Sequence, residues 1–152
     1  MELNRTDSSN EDFISLVKLL DADLAIRDGD DHDFYNQFNS IAALKHCIVA
    51  YDSDMAVACG AFKPFDESTV EIKRMFTLPE ARGKGLAIKV LSSLEAWAKQ
   101  EGYKFSILET GKAQPEAIAL YHKCGYEVTP NYGQYEGVEN SVCFRKSLKV
   151  KN

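Results

Sequence analysis

Residues 71–87, EIKRMFTLPEARGKGLA, decide the fold. Alternation predicts a strand over Thr69–Leu78, with Val70, Ile72 and Phe76 on one face and Glu71, Lys73, Met75 and Thr77 on the other. Pro79 stops the strand, because proline cannot donate to a ladder. The period then becomes helical from Gly83 to Glu101: Ala87, Val90, Leu91, Leu94 and Ala98 share a face, and Gly102 suits the C-terminal cap. Between strand and helix lies Arg82-Gly83-Lys84-Gly85-Leu86-Ala87. Its two glycines let the main chain take angles closed to other residues and let a ligand approach closely. A helix N-terminus offers unpaired N–H groups and partial positive charge, to which Arg82 and Lys84 add full charges. The combination suits a pyrophosphate. It is neither a Walker A loop, since leucine follows Gly85, nor a Rossmann fingerprint, whose third glycine would be Ile88.

On the N-terminal side, Glu2–Thr6 alternates like a short strand. Ser8 stands three residues before Glu11, the capping-box spacing. Phe13, Leu16, Val17, Leu20 and Leu24 then mark one helical face, ending near Arg27 before Asp28-Gly29-Asp30. A second helix is expected over Asp33–Leu44, carrying Phe34, Phe38 and Ile41. Lys45–Tyr51 and Met55–Lys63 flank Asp52-Ser53-Asp54 as a β-hairpin. On the C-terminal side, Lys104–Glu109 reads as a strand. Pro115 opens a helix ended by Gly125, and Tyr126–Val128 and Ser141–Leu148 close the chain as strands. The order β-α-α-β-β-β-α-β-α-β-β implies an α/β (α+β) fold with a mixed sheet covered by helices on both faces. At 152 residues the chain is expected to be one domain, residues 1–152.

Composition narrows the function classes. Apolar residues make up 45% and charged residues 27%, ordinary for a globular protein. The net charge of −5 shows no basic stripe for nucleic acid. No apolar run reaches the ~18–20 residues of a membrane span, and Met1–Arg5 does not read as a signal peptide. A cytoplasmic protein without a membrane partner is the expectation. Cys47, Cys59, Cys124 and Cys143 lack metal or redox spacing and read as small hydrophobes. His32, His46 and His122 have no ligand spacing, so no metal is expected. Asp21, Asp23, Asp28, Asp30, Asp31 and Asp33 face one basic residue, Arg27. The segment reads as a solvated loop, or as a patch attracting a cationic substrate.

The run Met75–Ala87 resembles the acetyl-CoA signature [RQ]-x-x-G-x-[GA] of the GNAT N-acetyltransferase superfamily. Ala117-Ile118-Ala119-Leu120-Tyr121-His122-Lys123-Cys124-Gly125-Tyr126 is similar to that superfamily's A-x-x-L-Y-x-x-x-G-[FY] helix end. The two blocks occur in the superfamily's order and at its usual separation, and the element order matches along nearly the whole chain. One departure is visible: Gln114 stands where many members carry asparagine.

The resemblance implies a mostly antiparallel sheet of six or seven strands and acetyl-CoA as cosubstrate. Main-chain N–H groups from Arg82, Gly83, Lys84, Gly85, Leu86 and Ala87 would hold the pyrophosphate. Met75, Phe76 and Thr77 would pair with the pantetheine arm, as a peptide adds to a sheet edge. Gln114 and Tyr121 would also touch the cosubstrate. Direct transfer to a primary amine needs that amine neutral, and free alkylamines have a pKa of about 10.4. Glu71 matches a strand glutamate used as base in some members, or else it pairs with Lys73. Tyr121 matches the tyrosine that protonates or hydrogen-bonds the departing thiolate, or else it is a core residue. Glu109 and Thr110, at a strand's end, are candidates for the acceptor, a small-molecule amine of unspecified identity. Phe34, Tyr35, Phe38, Tyr132 and Tyr135 are able to wall a small pocket. A catalytically silent acyl-CoA sensor, and an enzyme acting on a protein amine, fit the same motifs. A homodimer through the last strand is also compatible.

Overall fold

The computed structural model describes residues 1–28 and 44–148. The helix expected over Asp33–Leu44, the aromatic residues Phe34, Tyr35 and Phe38, and the last aspartates of the acidic segment lie outside them, Leu44 excepted. Seven strands form one sheet: β1 (Glu2–Thr6), β2 (His46–Asp52), β3 (Met55–Pro64), β4 (Thr69–Thr77), β5 (Phe105–Gly111), β6 (Glu127–Thr129) and β7 (Ser141–Ser147). Their order is β1-β2-β3-β4-β5-β7-β6. Among the described residues only β4 and β5 pair in parallel, so the sheet is mixed and mostly antiparallel, as expected. The last strand is flanked by β5 and β6, which leaves β6 and not β7 at the sheet's edge.

Helices cover both faces. On one, α1 (Glu11–Asp28) buries Phe13, Leu16, Val17 and Leu20 against Cys47, Val49, Cys59, Ala61 and Phe76. On the other, α2 (Leu86–Gln100) and α3 (Pro115–Lys123) pack Val90, Leu91, Leu94 and Tyr121 onto Ile48, Phe62, Ile72, Leu108 and Phe144. Ser8 does not cap α1. Asn10 does, its Oδ1 accepting the Phe13 N–H at 2.9 Å, while the Ser8 N–H goes to the Leu44 carbonyl. The β2–β3 hairpin turns at Ser53 and Asp54, both at positive φ (50° and 71°), the primed geometry that matches strand twist.

Strand β4 departs from simple alternation. Cys59 pairs with Phe76 and Ala61 with Lys73, so Gly60 alone opposes Arg74 and Met75. This is a β-bulge, and Arg74 carries its left-handed residue at φ 60°. The expected faces are therefore wrong after Lys73. Phe76 packs with the α1 cluster, on the side of Glu71, and Met75 packs with Val70 and Ile72 on the other side. Gly60 is required here: a Cβ would lie 2.5 Å from the Met75 sulfur and 2.9 Å from Val90 and Leu94.

Candidate active site

Parallel pairing of β4 with β5 covers only Thr69–Glu71 against Phe105–Ile107. Beyond it the strands part. The remainder of β4 keeps β3 on one side and presents an unpaired edge on the other. A cavity of about 270 Å³ occupies the opening.

The end nearest the start of α2 is built from main chain. The chain leaves β4, makes a 3-10 turn over Pro79–Ala81 and enters α2 through Gly83 (φ 84°) and Gly85 (φ 78°). No side chain caps α2, and nothing lies within 4 Å of where a Cβ on either glycine would sit. The first-turn N–H groups thus have no side-chain cap, which leaves them able to take a phosphate oxygen. The Arg82 Nε donates to the Thr77 carbonyl at 3.0 Å, and its guanidinium sits 5.8 Å over Phe76, tying the turn to the end of β4. Lys84 is exposed, whereas the Leu86 side chain is in the core, so Leu86 offers only its main chain. Met75, Phe76, Thr77, Arg82, Ala87, Gln114 and Tyr121 all line the cavity, and Gly83 to Leu86 form the turn between two of them. These residues fit an extended thioester arm ending in a pyrophosphate.

Tyr121 projects from α3 with its ring against Tyr126 and Phe144, at 6.0 and 5.9 Å between centroids. Its hydroxyl meets no hydrogen-bond partner among the described residues, and the residue lines the cavity. Burial, helped by Cys124 and Glu109, raises its pKa well above the ordinary phenol value. It is a proton donor throughout the neutral range.

The opposite end is built from side chains. Glu71, 2% exposed, sits where β4 and β5 separate. Its Oε2 accepts the Tyr132 hydroxyl at 3.0 Å and lies 3.9 Å from the Lys73 ammonium, while Oε1 lies 3.9 Å from that of Lys63. Tyr132 is fixed by edge contacts with Phe65 and Tyr135, at 5.3 and 5.8 Å. Burial, with Glu71 beside it, pushes the Tyr132 phenol far up, so it remains the donor in that bond. Burial lowers the Lys73 pKa, which Glu71 only partly offsets. Glu109 and Thr110 line the cavity too, Glu109 accepting the Ser141 hydroxyl at 2.7 Å. Glu71, Glu109, Thr110, Tyr121 and Tyr135 therefore border one cavity, whereas Tyr132 and Lys84 do not line it.

The Acetyltransferase (GNAT) family model matches residues 13–126. The chain belongs to the GNAT acetyltransferase family. A GNAT relative in Xenopus tropicalis, named "Probable N-acetyltransferase 14", is 36% identical over 93 residues, which are 60% of this chain and 45% of that protein. The chain thus spans less than half the length of that relative. A solved Klebsiella pneumoniae structure, described as an acyl-CoA N-acyltransferase, matches with TM-score 0.82 and 29% identity over 97% of both chains. The yncA acetyltransferase of Salmonella typhimurium was solved with its cofactor acetyl-CoA. It shares the fold at TM-score 0.68 and 17% identity, covering 100% of this chain and 96% of that one. The domain has the fold and family of the GNAT acetyltransferases. No helix among the described residues is long and apolar enough to cross a membrane.

Sequence reading missed several neighbours of this GNAT site. Lys63 comes from β3, and the Tyr132 hydroxyl reaches Glu71 across 61 positions. Only the aromatic character of Tyr132 and Tyr135 hinted at a pocket wall. The acidic segment is not all a solvated loop: Asp21 and Asp23 lie on α1. Asp21 pairs with the buried Arg74 guanidinium, and Asp23 lines the cavity. Both positions already lie within the helix expected to end near Arg27, so reading them as part of a loop was the error. Cys47, Cys59 and Cys143 are fully buried, and burial raises their thiol pKa values to about 12, 12 and 11, which keeps them protonated.

Proposed function

We propose that the protein moves the acetyl group of acetyl-CoA directly onto a primary amine of a small molecule, with both bound at once. One observation carries this reading: Glu71 and Tyr121 border the same cavity of about 270 Å³, together with the unpaired edge of β4.

Acetyl-CoA supplies the activated acetyl group. Main-chain N–H groups of residues 82–87 hold its pyrophosphate, and Met75–Thr77 align its arm. Glu71 takes a proton from the acceptor ammonium, so that the nitrogen lone pair is available to the carbonyl carbon. Tyr132 keeps the Glu71 carboxylate aimed by donating to one oxygen. Tyr121 gives its hydroxyl proton to the sulfur as the carbon–sulfur bond breaks, and the products are the amide and the free thiol. Two protons leave the nitrogen: Glu71 takes the one that frees the lone pair and passes it to solvent, and the second, lost as the amide forms, restores the Tyr121 hydroxyl that has protonated the sulfur.

The test is thermal unfolding with and without acetyl-CoA, followed by thiol release with a panel of amines. At 100 times the dissociation constant, binding adds about 2.7 kcal/mol, roughly 5–10 °C for a chain of this size. A shift with amine-dependent thiol release is the expected result. A shift with no thiol release from any amine would instead describe a binding protein.

A further inference from the structure

The two charged side chains at the acceptor end do not complete each other. Glu71 and Lys73 are two apart on β4, share a face, and have side chains only 3% and 8% exposed. Buried ion pairs offset their desolvation only with close contact and further hydrogen bonds. Here Nζ and Oε2 are 3.9 Å apart, beyond hydrogen-bonding range, and Lys73 donates no hydrogen bond among the described residues. Burial already works against its charge. The fold has thus placed a desolvated ammonium and a desolvated carboxylate side by side, bordering a cavity, with a gap between them.

We infer that the acceptor is an amino carboxylate whose amine and carboxylate are separated by one or two carbons, as in an α- or β-amino acid. This deepens the small-molecule reading above and rests on it. The amine sits on Glu71 and the carboxylate on Lys73, so the four groups close a ring of alternating charge. In an α-amino acid the nitrogen and nearer carboxylate oxygen are about 3 Å apart by covalent geometry. Charge-assisted hydrogen bonds of about 2.8 Å on each side bridge that dipole onto the 3.9 Å Glu71–Lys73 pair with little adjustment. A longer amino acid, with charges ~7 Å apart, overshoots the pair. A polyamine is disfavoured at the same spot: its second ammonium would approach Lys63 or Lys73, both already 3.9 Å from the one carboxylate at Glu71. Glu109 and Asp23 line the cavity as well, and Glu109 also accepts from Ser141, so a cationic acceptor is the competing outcome of the test.

The experiment compares kcat/KM by thiol release at saturating acetyl-CoA. The panel pairs α-amino acids with their decarboxylated amines and their amides, and adds diamines and polyamines. The expected result is a preference of at least about tenfold for the carboxylate-bearing member of each pair, the scale of one charge-assisted contact. Lys73→Met removes that preference, lowering kcat/KM for the amino acid at least about tenfold more than for the matching amine, whereas Lys73→Arg retains it. The acetyl-CoA thermal shift, kept in both variants, shows that they fold. Equal or better turnover of amines lacking the carboxylate, or an equal loss on both substrates in Lys73→Met, overturns the inference and leaves the small-molecule reading standing. Acetyl-CoA binding with no turnover of any amine overturns both.

Discussion

The two ends of the cavity are made in different ways. The cosubstrate end is main chain: two glycines, a helix start and an unpaired strand edge, all within residues 72–87. The other end is side chain: Glu71, Lys73, Glu109 and Tyr135 line it from β4, β5 and the segment between β6 and β7, with Lys63 of β3 and Tyr132 behind Glu71. A main-chain site binds what all acetyl donors share, and it tolerates varied side chains provided the glycines stay. A side-chain site chooses among acceptors, and each of its residues can be exchanged alone.

That division can be broken from either end. The largest effect is expected for Gly85→Trp. At φ 78° a side chain is strained by about 1–2 kcal/mol, and the bulky group also blocks the phosphate approach. Acetyl-CoA affinity should fall at least ~100-fold, and the thermal shift should vanish. An unchanged shift would remove the turn from the site. Next comes Tyr121→Phe, expected to lower the rate about 100-fold or more, as for loss of a general acid, while the acetyl-CoA shift stays. A lost shift in that variant would move Tyr121 from chemistry to binding.

Glu71→Gln should lower the rate roughly 10- to 100-fold at neutral pH. The deficit should shrink as pH rises toward ~10.4, where an alkylamine loses its proton unaided. Tyr121 does not confuse this profile, because its raised pKa keeps the donor protonated over the same range. A deficit constant with pH would assign Glu71 to structure. Tyr132→Phe removes one hydrogen bond to Glu71, a loss of ~0.5–1.5 kcal/mol, and kcat/KM should drop about three- to tenfold with unchanged acetyl-CoA affinity. The smallest effect tests neither end: Asn10→Ala uncaps α1 at a cost of about 1 kcal/mol. It should lower Tm by roughly 2–4 °C and leave the kinetics alone. A kinetic change there would show that α1 shapes the acceptor end.

The same division explains what could be read from the sequence. The phosphate turn is local: Arg82 to Ala87 are consecutive, and the angles demanded of Gly83 and Gly85 are visible as residue identity. Strand and helix periods survive in one dimension, so the element order around them was legible. Glu71 and Tyr121 stood out through their place in longer motifs. Tyr132 could not be joined to Glu71, because that pairing depends on where β6 and β7 return to the sheet. The faces of β4 were misassigned for a different reason. A period-2 reading assumes every residue advances the alternation, and the bulge at Arg74 and Met75 spends one residue without doing so. Its only trace in sequence is Gly60, on the partner strand.

That bulge also sets how the enzyme can diversify. On the proposed function, β4 meets the acceptor through Glu71 and Lys73 before Arg74, and the donor through the backbone of Met75–Thr77 after it; all of these residues line the cavity. One continuous strand is thereby two separately heritable modules, joined at a single irregular step. A new acceptor preference can arise by exchanging residues 63, 71 and 73 while the acyl carrier stays the same. Chimeras exchanging β4 segments within the family should therefore inherit acceptor choice from whichever parent supplies the residues before position 74.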